Sequence, residues 1–183
     1  MKAIQPNYDM AFNFLSKFDP KAEHNTFQTF DDKKTKDPKK AKVLHGPFEE
    51  HADELMYLNK LGAGIFVMVN RGDGIVHEGN KTCRTKSNVL AVRALFADAD
   101  GVPIKPILDI CLPPHILVES SPGKWHIYWI TNNTKLEEFT PMQEAIAERY
   151  GTDPAVKDLP RVMRIPGFYH QKNEPFMTRL VTN

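Results

Sequence analysis

The chain has 183 residues, 41% hydrophobic and 26% charged, with 24 basic and 23 acidic side chains for a formal net charge of +1. That length suits one domain with a real core or two small lobes sharing one, and near-zero charge means that any nucleic-acid surface must come from local clustering of basic groups. Cys83 and Cys111 lie far apart and outside any Cys-x-x-Cys pattern, which points to a reduced, cytosolic protein without a thiolate zinc site, and no apolar run approaches a membrane span or a secretory leader.

In chain order, Tyr8, Met10, Ala11, Phe12, Phe14, Leu15 and Phe18 recur at helical spacing, so a helix over 8–18 is predicted, ended by Asp19-Pro20. Thr26 to Phe30 alternates and is rich in strand formers. The segment Asp31 to Lys42 carries Lys33, Lys34, Lys36, Lys39, Lys40 and Lys42. It reads as a solvated loop or as an arm that contacts phosphates. Pro47-Phe48-Glu49-Glu50 opens a second helix that runs to about Lys60, with Gly62 as its stop. Ile65 to Val69 suits a strand covered on both faces, and residues 71–88 read as a long polar loop. A second buried strand, Val89 to Ala97, runs into Asp98-Ala99-Asp100-Gly101. Two further strands, His115–Glu119 and Trp125–Ile130, are joined by the turn Ser120-Ser121-Pro122-Gly123-Lys124 as a hairpin. An amphipathic helix covers Glu137 to Tyr150, with Gly151 just past its end, and Arg161–Ile165 and Phe176–Val181 are short strands. Helices mixed with an antiparallel hairpin give an α+β class.

Three segments carry chemistry. In a strand, Asp98 and Asp100 share one face. Two carboxylates on one face repel unless a cation sits between them. Mg²⁺ or Mn²⁺ suits oxygen ligands, and two such ions can clamp the attacking and leaving oxygens of a nucleotidyl transfer. Alternatively, Asp and Gly simply end the strand as a turn; the apolar run before them favours the metal. In the hairpin, a Ser/Pro/Gly turn with Lys124 can present N–H groups and a cation to phosphate. His126 and Tyr128 share a face, while Trp125, Ile127 and Trp129 take the other, so His126 is either a core histidine or part of a cleft wall. In the third segment, Asp153 and Asp158 are each a possible third acidic ligand or a cap beside proline. Arg161, Arg164 and Lys172 suit a triphosphate or template site, against the ordinary alternative of surface salt bridges.

Taken together, Leu44-His45-Gly46, Leu58-Asn59, Gly62-Ala63-Gly64-Ile65-Phe66, Val69-Asn70 and the run from Asn88 to Gly101 resemble the archaeo-eukaryotic primase superfamily, in particular the primase domains of plasmid and phage replication proteins. So do Glu119-Ser120-Ser121-Pro122-Gly123-Lys124-x-His126-x-Tyr128-Trp129 and Arg161-Val162-Met163-Arg164-Ile165-Pro166-Gly167-Phe168. The resemblance covers the chain from about Phe27 onward. It implies that Asp98 and Asp100 bind two Mg²⁺ or Mn²⁺ ions, with Asp153 as third acid and Asp158 as the alternative. It implies that His126 contacts the incoming nucleotide. Ser121 stands further from the histidine than in the family's Ser-x-His element. With Lys124, Arg161, Arg164 and Lys172, these make the nucleotide-binding set; Arg71, Lys86, Arg93 and Lys172 are candidates for template or primer contacts.

The fold implied is an RRM-like antiparallel catalytic sheet with flanking helices, over about 86–183, facing an N-terminal α/β portion, about 1–85, across a nucleic-acid cleft. The expectation is a single primase-polymerase catalytic core over 1–183, part of a longer replication protein whose relatives often carry a helical bundle and a helicase. Its partners would be a single-stranded DNA template, a primer and NTP or dNTP, with no membrane, in the cytoplasm of a bacterial or phage-infected cell. Two rivals stand beside this reading: a non-catalytic replication initiator or single-strand binder, and a metal-dependent nuclease.

Overall fold

The computed structural model describes residues 4–34, 36–110 and 112–181, so Cys111 lies outside the described residues. Its elements are α1 (Tyr8–Phe18), β1 (Asn25–Asp31), β2 (Val43–Gly46), α2 (Phe48–Lys60), β3 (Ala63–Met68), β4 (Arg71–Gly72), β5 (Val89–Ala91), β6 (Ala94–Asp100), α3 (Lys105–Leu108), β7 (Ile116–Ser121), β8 (Lys124–Ile130), α4 (Leu136–Tyr150), β9 (Val162–Arg164), β10 (Tyr169–His170), β11 (Phe176–Met177) and β12 (Arg179–Val181). Both helix starts and stops obey local chemistry. The Asn7 side chain accepts from Met10 N–H at the head of α1, and Gly151, at φ +66°, closes α4 in the left-handed conformation. Among the described residues no helix is long and apolar enough to cross a membrane.

The strands form two four-stranded antiparallel sheets, ordered β2-β1-β3-β9 and β12-β7-β8-β6, with β4-β5 and β10-β11 as small ribbons. The second sheet is built from the succession strand-helix-strand-strand-helix-strand. Late in the chain, β9 crosses back to pair with β3 of the first sheet. One large apolar core, including Phe14, Phe18, Phe27, Phe96, Tyr128 and Phe139, joins α1, both sheets and α4. A smaller one, around Ala97, Ala99, Ile107, Ile127 and Trp129, fills the other face of the second sheet. This split reproduces the face assignment expected from the alternation of 125–129.

Three local expectations are corrected. The strand predicted over Val89–Ala97 is two strands, broken at Val92-Arg93. There Arg93 turns inward, donating to Met68 O (2.6 Å), Val69 O (2.8 Å) and Asn25 Oδ1 (2.8 Å) and lying over the Phe18 ring. Burial lowers its pKa to about 10, and it cannot serve the template. The hairpin turn is also tighter than the five residues expected. Ser121 pairs with Lys124 across Pro122-Gly123, with an irregularity between Glu119 and Ser121, and Gly123 sits at φ +70°. The Gly123 N–H is taken by Glu119 Oε1 at 3.1 Å, so that N–H is not offered to a phosphate.

One contact outside the apolar core sets the position of β6. This strand is an edge of its sheet, and α4 covers that edge through Gln143. The Gln143 amide accepts from Phe96 N–H (3.0 Å) and donates to Phe96 O (3.0 Å) and Val156 O (2.9 Å), pairing with the strand as another strand would. Gln143→Leu is expected to leave those buried groups unpaired at about 1–3 kcal/mol each. A thermal melt checks this: a midpoint within a degree of wild type would contradict it.

Candidate active site

The site grows from the register of β6 against β8. Asp98 lies directly opposite His126 and Asp100 opposite Lys124, so all four share one face, while Ala97 and Ala99 point into the smaller core. Lys124 Nζ lies 2.6 Å from Asp100 Oδ2, and His126 Nε2 lies 3.9 Å from Asp98 Oδ1. After α4 stops at Gly151, the chain returns along the outer edge of β6, beyond the stretch that Gln143 covers, and Asp153 N–H donates to Asp98 O at 3.2 Å. That bond fixes Asp153 beside the strand-end pair.

These residues line a cavity of about 940 Å³, together with the rest of the catalytic and nucleotide-binding set expected from the sequence: Asp98, Asp100, Asp153, Ser121, Lys124, His126, Arg161, Arg164 and Lys172. Asp158 does not; it accepts from Arg161 Nε at 2.6 Å. Arg71 and Lys86 also lie off the cavity, and Arg71 pairs with Asp19 at 2.8 Å. Of the four proposed template contacts, only Lys172 faces this space.

The cavity wall draws on both sheets, because Arg164 arrives on β9. Its guanidinium forks onto Asp32 at 2.6 and 3.1 Å and lies 4.6 Å over the Phe66 ring. Gln171 N–H donates to the same Asp32 carboxylate at 2.8 Å. Sequence reasoning missed Asp32, His170, Phe30 and Phe66, all on the cavity wall. Asp32 sits in a lysine-rich stretch that reads as loop, and its partner is 132 positions away, so no local pattern marks it.

Charge is unevenly compensated. Burial, then the carboxylates of Asp153 and Asp100, push the Asp98 pKa up to about 6. Burial, then Arg164 and His170, hold His126 down to about 3, so its imidazole is neutral at pH 7. His126 Nδ1, Tyr128 Oη, Thr152 Oγ1 and His170 Nε2 are buried polar atoms without a partner. Of these, His126 and His170 line the cavity, where a bound group could satisfy them.

The donor set fits a hard divalent ion: three carboxylates, one of them carrying uncompensated negative charge. The ligands are not already converged. Among the described residues no three His, Cys, Asp or Glu side chains form a ready cage. Asp100 leans to Lys124, and Asp153 Oδ1 caps its own turn at Ala155 N–H (2.9 Å). A bound ion would have to take Asp100 from Lys124.

This strain is measurable. With the folded pKa raised above the ordinary 3.8 to about 6, Asp98 contributes nothing well below 3.8, where its carboxyl is protonated in both the folded and the unfolded chain, and the loss of stability builds between the two values as pH rises toward 6. The side chain is 27% exposed, so about 2 kcal/mol is a fair size. Metal-free Asp98→Asn is therefore expected to melt several degrees above wild type at pH 7.5, with the gap closing by pH 4. A gap independent of pH would contradict this.

A family model described as the RepB DNA-primase N-terminal domain matches residues 99–181, a span that holds Asp100, Ser121, Lys124, His126, Asp153, Arg161, Arg164 and Lys172 but not Asp98, Phe30, Asp32 or Phe66. No curated protein sequence matches the chain. Among solved structures, the AEP domain of the Cyanophage S-2L primase-polymerase is similar at TM-score 0.75 and 17% identity, over 98% of this chain and 91% of that one. Primase RepB′ gives 0.68 and 15%, over 95% and 55%. The catalytic domain of RepB′ in complex with initiator DNA gives 0.63 and 16%, over 93% and 81%. The α+β fold and the resemblance drawn from the sequence are both borne out.

Proposed function

We propose, from the premise that the chain is built on the primase-polymerase fold of plasmid and phage replication proteins, that it catalyses metal-dependent, template-directed nucleotidyl transfer. The observation that carries this is the cavity in which Asp98 and Asp100 from one sheet, with Asp153 from the segment after α4, face Arg164 from the other sheet, with Lys124, Arg161 and Lys172 around them. Asp98, Asp100 and Asp153 would hold Mg²⁺ or Mn²⁺, whose charge activates a 3′-hydroxyl and stabilises the leaving pyrophosphate.

The chain's own residues position and neutralise. Arg164, fixed by Asp32 and stacked on Phe66, presents a guanidinium that needs little further ordering. His126, neutral, offers one directed hydrogen bond. Lys124 pairs with Asp100 in the structure, and with an ion held by Asp100 its ammonium would be free to neutralise a phosphate oxygen instead. Ser121, at the turn, and Lys172 complete the nucleotide's surroundings. The partners are a single-stranded template, a primer and NTP or dNTP.

A charge-assisted hydrogen bond of about 1.5–3 kcal/mol makes Lys124→Ala lose roughly 10–100-fold in kcat/KM, with nucleotide KM taking most of the change; an unchanged KM would place Lys124 outside the nucleotide site. The reading as a whole is tested by incubating the protein with a single-stranded template, with and without a primer, labelled NTPs or dNTPs, and Mn²⁺ or Mg²⁺. Products longer than the primer, or new short chains, are expected and should vanish with chelator. Binding without incorporation would select a non-catalytic DNA-binding domain, and shortened strands without nucleotide would select a nuclease.

A further inference from the structure

The first sheet's share of the cavity wall includes the rings of Phe30 and Phe66, and the chemistry above leaves Phe30 unused. In the register of β1, β3 and β9, Phe30 lies opposite Gly64 and Phe66 opposite Arg164. The two rings meet edge to face, with centroids 5.6 Å apart and planes at 68°. Gly64 makes this wall possible: a Cβ there would come within 2.5 Å of Arg164 Nη1 and 2.9 Å of the Phe66 ring. Arg164 covers Phe66, but Phe30 remains 36% exposed on the cavity side, although Thr29 and Asp31 beside it are buried.

Next to Phe30 runs the lysine-rich segment, and its acids are turned inward. Asp31 accepts from Asp37 N–H (2.9 Å), Lys33 N–H (3.1 Å) and Lys40 Nζ (3.2 Å), and these bonds hold its carboxyl down to about 2. Asp32 is committed to Arg164 and Gln171, and Asp37 to Lys39 N–H. With the acids so occupied, Lys33, Lys34, Lys36 and Lys39 stand exposed, and Lys36 and Pro38 reach the cavity wall beside Phe30.

We propose that Phe30 is a stacking platform for a base of single-stranded DNA, with Lys34, Lys36 and Lys39 following the phosphates of that strand. The proposal rests on the polymerase reading only for why DNA should be there. Several exposed lysines on one short segment, Lys36 among them with its Nζ 3.2 Å from Asp31 O, suit the successive phosphates of a polymer rather than one nucleotide. An exposed ring face suits an unpaired base, since in a duplex both base faces are already stacked.

The test needs neither metal nor nucleotide. Binding of a labelled oligo-dT and of an abasic oligomer of equal length is measured in EDTA for wild type, Phe30→Ala and Lys34→Gln/Lys36→Gln/Lys39→Gln. Phe30→Ala is expected to weaken oligo-dT binding about tenfold while leaving the abasic oligomer nearly unchanged, at a temperature well below a midpoint that the lost Phe66 contact lowers. The triple variant should weaken both and lower the salt slope by about 2. In Phe30→Trp, oligo-dT should quench the indole and the abasic oligomer should not. Wild-type affinity of Phe30→Ala for oligo-dT, equal losses on both oligomers, or no oligo-dT binding by wild type would each overturn the proposal. A protein that shows the expected losses but never incorporates nucleotide would keep this site and refute the polymerase reading instead.

Discussion

An Asp98→Asn, Asp100→Asn double variant is expected to lose at least about 10³-fold in nucleotide incorporation while keeping its fold. Metal-borne stabilisation of a transferring phosphoryl group amounts to several kcal/mol, and each 1.36 kcal/mol is tenfold in rate. Asn preserves the shape of both side chains and removes only the charge. The fold has little to lose, because Asp98 and Asp100 are not structural partners of the core. Asp98 sits with a raised pKa among other acids, and Asp100 makes an exposed ion pair with Lys124 of the kind that contributes at most about 1 kcal/mol. The pairing of loss and gain is diagnostic: activity should collapse while the metal-free melting temperature stays level or rises. Retained incorporation would remove these residues from the chemistry, and a collapse of both would make them structural.

The largest stability effect is expected at Asp32. Its carboxylate is almost fully buried and holds the buried Arg164 in a two-point contact, with Gln171 N–H as a third donor. Breaking a buried pair by removing one partner typically costs about 3–5 kcal/mol, because the other charge stays buried without compensation. For a domain of this size, that corresponds to a fall of roughly 10 °C in melting temperature for Asp32→Ala. Nucleotide binding should weaken with it, since the guanidinium loses the group that aims it. Asp32→Asn, which keeps an acceptor but not the charge, should fall between. A melting temperature unchanged in Asp32→Ala would mean that Arg164 is solvated or repartnered, and that the preorganised wall is not what holds it.

What was legible in the sequence was local. The helix over Tyr8–Phe18, the strand ending at Asp98 and Asp100, and the alternation that divides His126 and Tyr128 from Trp125, Ile127 and Trp129 all follow from periods of 3.6 and 2.0. The nine residues picked from three separate segments line one cavity. What was not legible is long-range. Nothing near Val162–Arg164 says that this strand crosses to the first sheet, and that crossing brings Arg164 against Phe66 and Asp32. Arg93 misled for a related reason. An arginine in a strand-like run reads as a surface cation, but here three backbone and side-chain oxygens from the first sheet and its edges draw it inward and break the strand. The five-residue turn was misjudged because Ser120 and Ser121 are turn formers by type, yet the β7–β8 ladder extends through Ser121 and leaves only Pro122-Gly123 to reverse the chain.

The proposed function turns on Asp98, Asp100 and Asp153 as a divalent-metal centre. The most direct measurement is anomalous diffraction from crystals of the protein soaked with Mn²⁺ and a non-hydrolysable nucleoside triphosphate. Manganese peaks are expected within about 2.1 Å of oxygens of Asp98 and Asp100, one shared with Asp153, with Lys124 Nζ moved from Asp100 to a phosphate oxygen. Manganese bound elsewhere, or no peak while the Lys124–Asp100 pair stays closed around a bound nucleotide, would contradict it.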